Sequence, residues 1–156
     1  MYKKVLVPLD GSELAECTLE HVKNLFKHGD AEVVILLNVV TLDIPWARHG
    51  NRDIDFDTLK KNMFSLSRRY LNEVKSRLSA EGIMVGTESL ESNRPAQMIL
   101  EFAREHEIDI IVIATHGYSG LKKFVLGSVA QTVLQQSHTN VLLIRPDACK
   151  AGSTRD

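Results

Sequence analysis

Two short stretches of the sequence combine polar side chains with glycines, and each directly follows a run of apolar residues. The first is "PLDGS" at residues 8–12. The second is "ATHGYSGLKKFVLGS" at residues 114–128, which follows "DIIVI" and carries three glycines, two lysines and a histidine. Glycines after a buried strand let the chain turn sharply or approach a ligand closely, so both stretches are candidate ligand-binding loops.

Gly127 and Ser128 lie where the second stretch enters a predicted helix. Unpaired backbone N–H groups and the positive end of the helix dipole favour an anion at such a point, and phosphate is the expected ligand. Ser128 adds a hydroxyl donor, and Gly117 can adopt positive φ where the chain leaves the preceding strand. The alternative, in which Gly117 only makes a turn and Gly127 only starts a helix, stays open because glycines are common at such junctions.

Asp10 follows directly on a predicted buried strand, so its carboxylate should point toward the same place. A carboxylate there could accept hydrogen bonds from ribose hydroxyls or help to hold Mg²⁺ beside phosphates. The same residue could instead form an Asx-turn or cap the following helix. The sequence leaves both interpretations open.

The basic side chains of the second stretch are also open to two interpretations. Lys122 and Lys123 could attract phosphate, although we favour solvated loop charges, and His116 has the same ambiguity. Four other histidines lie on or near predicted helices without convergent ligand spacing, which indicates surface or capping roles and no zinc site: His21, His28, His106 and His138.

Several familiar catalytic and nucleotide motifs are missing. The sequence has no G-x-x-x-x-G-K-[ST], and its first strand-to-helix turn lacks G-x-G-x-x-G, which disfavours a P-loop enzyme and a dehydrogenase. The spacing around Ser119 does not match the G-x-S-x-G elbow of a serine hydrolase. The candidate loops therefore indicate binding of an anionic ligand more than any of these chemistries.

Apolar periodicity predicts five strands alternating with helices. The strands are predicted at residues 4–9, 33–40, 83–91, 109–114 and 141–144, and the helices over residues 14–26, 56–81, 95–103 and 127–134. The unbroken apolar run at residues 33–40 is typical of a central parallel strand with helices on both faces, whereas the mixed composition of residues 83–91 predicts an edge strand.

This alternation predicts an α/β fold, with one open parallel sheet, helices on both faces and right-handed crossovers. If the strand order is the common 3-2-1-4-5, the direction of winding reverses between the first and fourth strands. A crevice then opens outside their carboxyl ends. The two candidate loops would form the walls of this crevice.

Composition sets the class of protein. The chain has 156 residues, 44% of them hydrophobic, which predicts one domain over residues 1–146 with a polar tail at residues 147–156. Its net charge of -1 disfavours a general nucleic-acid binder. No apolar run approaches the ~20 residues of a membrane-spanning helix, so we expect no membrane association and a cytoplasmic protein. The two widely separated cysteines predict neither a disulfide framework nor a metal cluster.

Two further segments have functional potential. Residues 41–55 form a long irregular loop that contains Trp46 and could close over a ligand. Residues 141–144 ("VLLI") would form an apolar edge strand in the expected order, and such an edge invites pairing. A homodimer through the fifth strand would cover it.

From residue 3 to residue 146, the chain resembles the universal stress protein family. The stretches "VPLDGSELAE" and "ATHGYSGLKKFVLGSVAQTVL" carry the resemblance. Nucleotide-binding members of the family have G-x-x-G, nine residues, then G-[ST]. Here the pattern falls on Ala114, Gly117, Gly127 and Ser128, so Ala114 departs from the first glycine.

The resemblance implies a Rossmann-like fold that binds ATP, with Mg²⁺ accompanying the nucleotide and Asp10 available to it, and a dimer through the fifth strand. By the same resemblance, Pro8, Asp10 and Val39 would lie near adenosine, and Gly117, Gly127, Ser128 and Val129 around the phosphates. Their neighbours Leu9, Ala114 and His116 complete the set of candidate nucleotide-binding residues. If Ala114 needed positive φ, it would cost about 1–2 kcal/mol, or about tenfold in affinity. Since the strand continues through Ile113, we expect extended geometry and retained ATP binding.

Three functions remain open at this point. The first is a nucleotide-responsive, homodimeric regulator of the stress response. The second is a slow ATPase that uses the same pocket, with Asp10 and His116 as its polar groups but no clear general base or arginine clamp. The third is a dimeric interaction module without nucleotide. The sequence does not identify the stress or a protein partner.

Overall fold

A computed structural model describes residues 1–42, 55–116 and 126–146. The described residues form one five-stranded parallel sheet in the order β3-β2-β1-β4-β5. Its strands are β1 (Tyr2–Pro8), β2 (Ala31–Val40), β3 (Val85–Glu91), β4 (Ile110–Ala114) and β5 (Asn140–Ile144). The predicted α/β class and strand order are therefore confirmed, and so is the edge position of β3.

Helices connect these strands, as the periodicity predicts. They are α1 (Glu13–Glu16), α2 (Thr18–Lys27), α3 (Phe56–Ser79), α4 (Pro95–Glu105) and α5 (Ser128–Gln136). The segment predicted as one helix over residues 14–26 is helical, with a single turn at Cys17 that keeps right-handed helical angles and separates α1 from α2. The Thr18 hydroxyl donates to the carbonyl of Ala15 at 2.8 Å, and side-chain bonds of this kind bend or interrupt helices.

The hydrophobic core consists of two clusters, one on each face of the sheet. Along β1, Val5 and Val7 belong to one cluster and Leu6 to the other, as the alternation of side chains in a strand requires. Leucines and valines of α2 and α3 fill the first cluster, whereas α4 and α5 fill the second. Both faces of the central strands are covered, which explains their continuously apolar sequence.

Helix starts are stabilised in different ways. Asp55 caps α3 by accepting from the amides of Asp57 and Thr58, and Pro95 occupies the first turn of α4, where its missing N–H costs nothing. Gly127 precedes α5 and offers no side-chain cap. The start of α5 therefore differs from that of α3 in leaving its first amides available.

The predicted boundaries at β2 and β4 shift slightly. β2 begins two residues earlier than expected, and Asp109 precedes β4 instead of belonging to it. The Asp109 carboxylate accepts hydrogen bonds from the amides of Lys3 and Lys4, at 2.7 and 2.8 Å. Asp109 thus joins the beginning of β4 to the beginning of β1, and this role has no local sequence signal.

None of the described helices is long and apolar enough to cross a membrane. The predicted Trp46 loop, except for its first two residues and its last one, lies outside the described residues, as do Gly117, the lysines at positions 122 and 123 and the tail at residues 147–156.

Leu6 provides a test of the core on the α4 and α5 face. Its side chain is fully buried in the central strand, so Leu6→Ala should lower the free energy of unfolding by about 2–5 kcal/mol. Leu66 of α3 is 65% exposed and serves as the matched control, for which the same substitution should change stability by less than about 0.5 kcal/mol. Urea denaturation of both variants measures the difference. Equal effects would contradict this arrangement of the core.

Candidate functional site

A cavity of about 320 Å³ opens at the carboxyl ends of β1 and β4, where the direction of winding reverses. Nine of the ten candidate residues from the sequence line it: Pro8, Leu9, Asp10, Val39, Ala114, His116, Gly127, Ser128 and Val129. The tenth, Gly117, lies outside the described residues. The two candidate loops therefore contribute to one cavity, although they are about a hundred residues apart in the chain.

On the β4 side, the peptide groups of Thr115 fix the geometry. The Thr115 amide donates to the carbonyl of Ile144 in β5, and the Thr115 carbonyl accepts from the amide of Gly127, both at 2.8 Å. Ala114 pairs with Ile144 within the sheet, and Glu107 is the only described non-glycine residue with positive φ. The expected extended geometry at Ala114 is confirmed, and a methyl group there carries no backbone strain.

The start of α5 provides a site for an anion. The first hydrogen bond of the helix runs from the amide of Gln131 to the carbonyl of Gly127, so the preceding amides of Ser128, Val129 and Ala130 have no carbonyl partner within the helix. These three residues line the cavity, and the first turn contains no acidic residue that would compete with an anion. The positive end of the α5 dipole adds to this preference.

On the β1 side, Asp10 forms the turn that the alternative interpretation predicts. Its Oδ1 accepts from the Ser12 amide at 2.9 Å and from the Ser12 hydroxyl at 2.5 Å, and Ser12 in turn caps α1 by accepting from Ala15. Gly11 between them has φ of +84°, a conformation that favours glycine. Asp10 is exposed and also lines the cavity.

His116 brings a ring nitrogen to the cavity wall. Its Nδ1 lies 2.8 Å from the Thr115 hydroxyl, which fixes the ring, while Nε2 is buried and has no hydrogen-bond partner among the described residues. Buried polar atoms in native proteins are nearly always hydrogen-bonded. A partner for Nε2 is therefore expected either from a bound ligand or from outside the described residues.

The remaining wall of the cavity is mostly apolar, and sequence reasoning missed most of it. The residues that it adds are Ala15, Leu37, Thr41, Pro95, Ile99, Ile113, Thr115 and Ala130. Pro95 and Ile99 arrive from α4 because the crossover after β3 returns across the same face of the sheet as α5. The apolar spacing within α4 predicts a buried helix, but it does not indicate that the first turn of this helix borders the crevice.

Titratable side chains are sparse in this site. Among the described lining residues, Asp10 carries the one carboxylate and His116 the one imidazole, and no lysine or arginine accompanies them. Near Asp10, burial foremost and then the negative charge of Glu16 raise the pKa of the Tyr70 phenol, which therefore stays neutral. The described residues contain no group of three or more acidic, histidine or cysteine side chains that could hold a metal ion. The described lining residues include no evident pair of base and nucleophile.

Comparison with known proteins places the chain in a family. The model of the universal stress protein family matches residues 1–145. The chain is 34% identical over 146 residues to universal stress protein MJ0531 of Methanocaldococcus jannaschii, covering 93% of this chain and 83% of that protein. The solved structure of protein MJ0577, which is from the same organism, superposes with a TM-score of 0.79 at 34% identity over 93% of this chain and 96% of the other.

Two more distant structures share the fold and contain adenine nucleotides. One is a universal stress protein in complex with cAMP, at 21% identity, a TM-score of 0.65 and coverage of 93% of this chain and 98% of that one. The other is from Arabidopsis thaliana with AMP bound, at 15% identity, a TM-score of 0.65 and coverage of 92% and 91%. The family model matches nearly the whole length of the chain, and the sheet order and the two crevice loops agree with it. This chain therefore belongs to the universal stress protein family.

Proposed function

We propose that this protein binds an adenine nucleotide, ATP with Mg²⁺, in the crevice between β1 and β4, and that it acts as a nucleotide-responsive homodimer in the stress response of the cytoplasm. The observation that carries the proposal is the start of α5. An uncapped helix start lies in the same cavity as an extended apolar wall. A ligand that suits both must have an anionic end and a large apolar or aromatic part, and a nucleotide has both.

The phosphates would lie against α5. Three backbone amides without helical partners, the hydroxyl of Ser128 and the helix dipole all favour negative charge at this end of the cavity. His116 also lines the cavity, and its imidazole could bond to the same ligand. Asp10, on the opposite wall, could accept from ribose hydroxyls or contact a magnesium ion carried by the phosphates.

The nucleoside would occupy the other end. Val39 and Leu37 of β2, with Pro95 and Ile99 of α4, form an apolar surface against which an aromatic base can pack. The volume of about 320 Å³ falls in the range of small-molecule sites. The two relatives solved with cAMP and AMP support an adenine nucleotide as the ligand class.

The described geometry favours binding over the two alternatives. A strained Ala114 would weaken nucleotide binding and favour a nucleotide-free module, and the strand geometry of Ala114 carries no such strain. A slow ATPase would need a general base and commonly an arginine clamp, and the described lining residues include no lysine or arginine. We therefore propose nucleotide occupancy, not turnover, as the signal.

Thr115 offers a route from the nucleotide to the dimer. Its amide bonds to β5 and its carbonyl bonds to the residue before α5. In the described sheet β5 is an edge strand, and its half-buried Val141, Leu142 and Leu143 would be covered by a second copy. A change at the phosphate end of the cavity can thus act on the strand through which we propose that the protein dimerises.

Gly127→Glu tests the phosphate site. Gly127 has φ of -60° and ψ of 147°, which any residue adopts, so the variant should fold while placing a carboxylate among the free amides. Calorimetric titration of nucleotide-free protein with ATP in magnesium buffer should show micromolar binding by the wild type. The variant should lose at least about tenfold in affinity.

Gln131→Glu is the matched control, because it adds the same charge to an exposed position one turn further along α5. It should bind ATP nearly as well as the wild type. A folded Gly127→Glu variant that binds as tightly as the control would contradict the proposed phosphate position. Absence of binding by the wild type would contradict the function itself.

Leu143→Glu tests the dimer. Sedimentation should show a dimer for the wild type at micromolar concentration and a monomer for this variant, because the buried carboxylate would oppose pairing at β5. Leu66→Glu, on the exposed surface of α3, should remain dimeric. A monomeric wild type would overturn the proposed dimer.

A further inference from the structure

Leu9 is held at the edge of the cavity by two hydrogen bonds of different kinds. Its amide donates to the backbone carbonyl of Leu37 at 2.8 Å, which continues the pairing of β1 with β2 one residue beyond the end of β1. Its carbonyl accepts from the side-chain amide of Asn38 at 2.7 Å. The position of the Leu9 carbonyl therefore depends on a side chain, since its bond comes from the amide group of Asn38 and not from the backbone of β2.

Asn38 is itself held by a chain of hydroxyl groups. The hydroxyl of Ser67 in α3 donates to Asn38 Oδ1 at 2.7 Å, and the hydroxyl of Ser89 in β3 lies 2.7 Å from that of Ser67. Because Ser67 uses its hydrogen toward Asn38, Ser89 must donate to Ser67. Each of these three side-chain hydrogen bonds then has one donor and one acceptor, and together they favour this orientation of the Asn38 amide.

These three polar residues lie outside the cavity. Leu37 and Val39 line it, so Asn38 between them points to the opposite face of the sheet, where it meets α3. Ser67 is 7% exposed. None of the three is among the residues that line the cavity, and Leu9 connects them to it.

We propose that Asn38 is a positioning residue of the nucleotide site. The hydrogen bonds from Ser89 through Ser67 and Asn38 hold Leu9, which lines the cavity, in place against the nucleoside part of the ligand. This inference rests on the proposed function. The strand order predicts that a change at Asn38 affects the nucleoside part of the ligand and not its phosphates. The phosphate end lies at α5 beside β4, whereas Leu9 and Asn38 join β1 to β2 on the other side of the crevice.

The test compares the affinities of AMP and of ATP with magnesium in calorimetric titrations of the full chain. Asn38→Leu removes both bonds that Asn38 makes, and we expect it to weaken the binding of both nucleotides by the same factor, about five- to tenfold. Ser67→Ala leaves Asn38 in place without its fixed orientation, and we expect a smaller loss of about two- to fivefold. If Asn38→Leu does not fold, Ser67→Ala carries the test.

Val74→Ala is the matched control for a loss of general stability. Val74 is fully buried on the same helix as Ser67 and belongs to the hydrophobic core, so its truncation should lower stability without changing affinity. If Val74→Ala weakens binding as much as Ser67→Ala does, the loss of affinity comes from a general loss of stability and the proposal is overturned.

Two other results would also overturn the inference. One is wild-type affinity in both folded variants of the chain, which would leave the proposed function intact. The other is a loss confined to ATP with AMP unaffected, which would locate the effect at the phosphates instead of the nucleoside. A wild type that binds neither nucleotide refutes the proposed function and this inference together, so the two failures are distinguishable.

Discussion

The reversal of winding at the centre of the sheet is the constraint on which the site depends. β1 has β2 on one side and β4 on the other, and the connections that follow β1 and β4 leave the sheet in opposite directions. No helix can close the gap between them, so a cavity remains at the carboxyl ends. The central position of β1 follows from its apolar sequence, since Val5, Leu6 and Val7 are all fully buried.

The backbone, more than the side chains, supplies the polarity of this cavity. A glycine before α5 leaves amides uncapped, and the peptide of Thr115 holds that glycine at a fixed distance from the end of β4. An anion can therefore be stabilised without any cationic side chain among the described lining residues. On the other wall, Asp10 and Gly11 make a turn that brings a carboxylate to the same cavity.

The sequence supports prediction of the fold and most of the cavity because the responsible signals are local. Continuous apolar runs distinguish the buried strands, and the glycines after β1 and β4 mark the ends at which a parallel sheet places its ligands. The glycine-containing loops indicated Asp10, Gly127 and Ser128, and the family resemblance added the others of the nine predicted residues that line the cavity. Their role in binding a nucleotide remains a proposal.

What the sequence does not reveal are contacts between distant segments. Asn38 stands in an otherwise apolar strand, and its partners Leu9 and Ser67 are each 29 residues away. Asp109 has the spacing of a strand residue but bonds to amides more than a hundred residues earlier. Such hydrogen bonds depend on tertiary placement, which neither periodicity nor propensity encodes.

The central claim is that the β1–β4 crevice is the nucleotide site, and amide chemical-shift mapping tests it most directly. Isotope-labelled, nucleotide-free protein would be titrated with ATP in magnesium buffer while each assigned amide is followed. Among the described residues, the account predicts the largest shifts at Leu9, Asp10 and Val39 and at the first amides of α5, from Ser128 to Ala130. Saturable shifts concentrated elsewhere, or no shifts at saturating ATP, would contradict it.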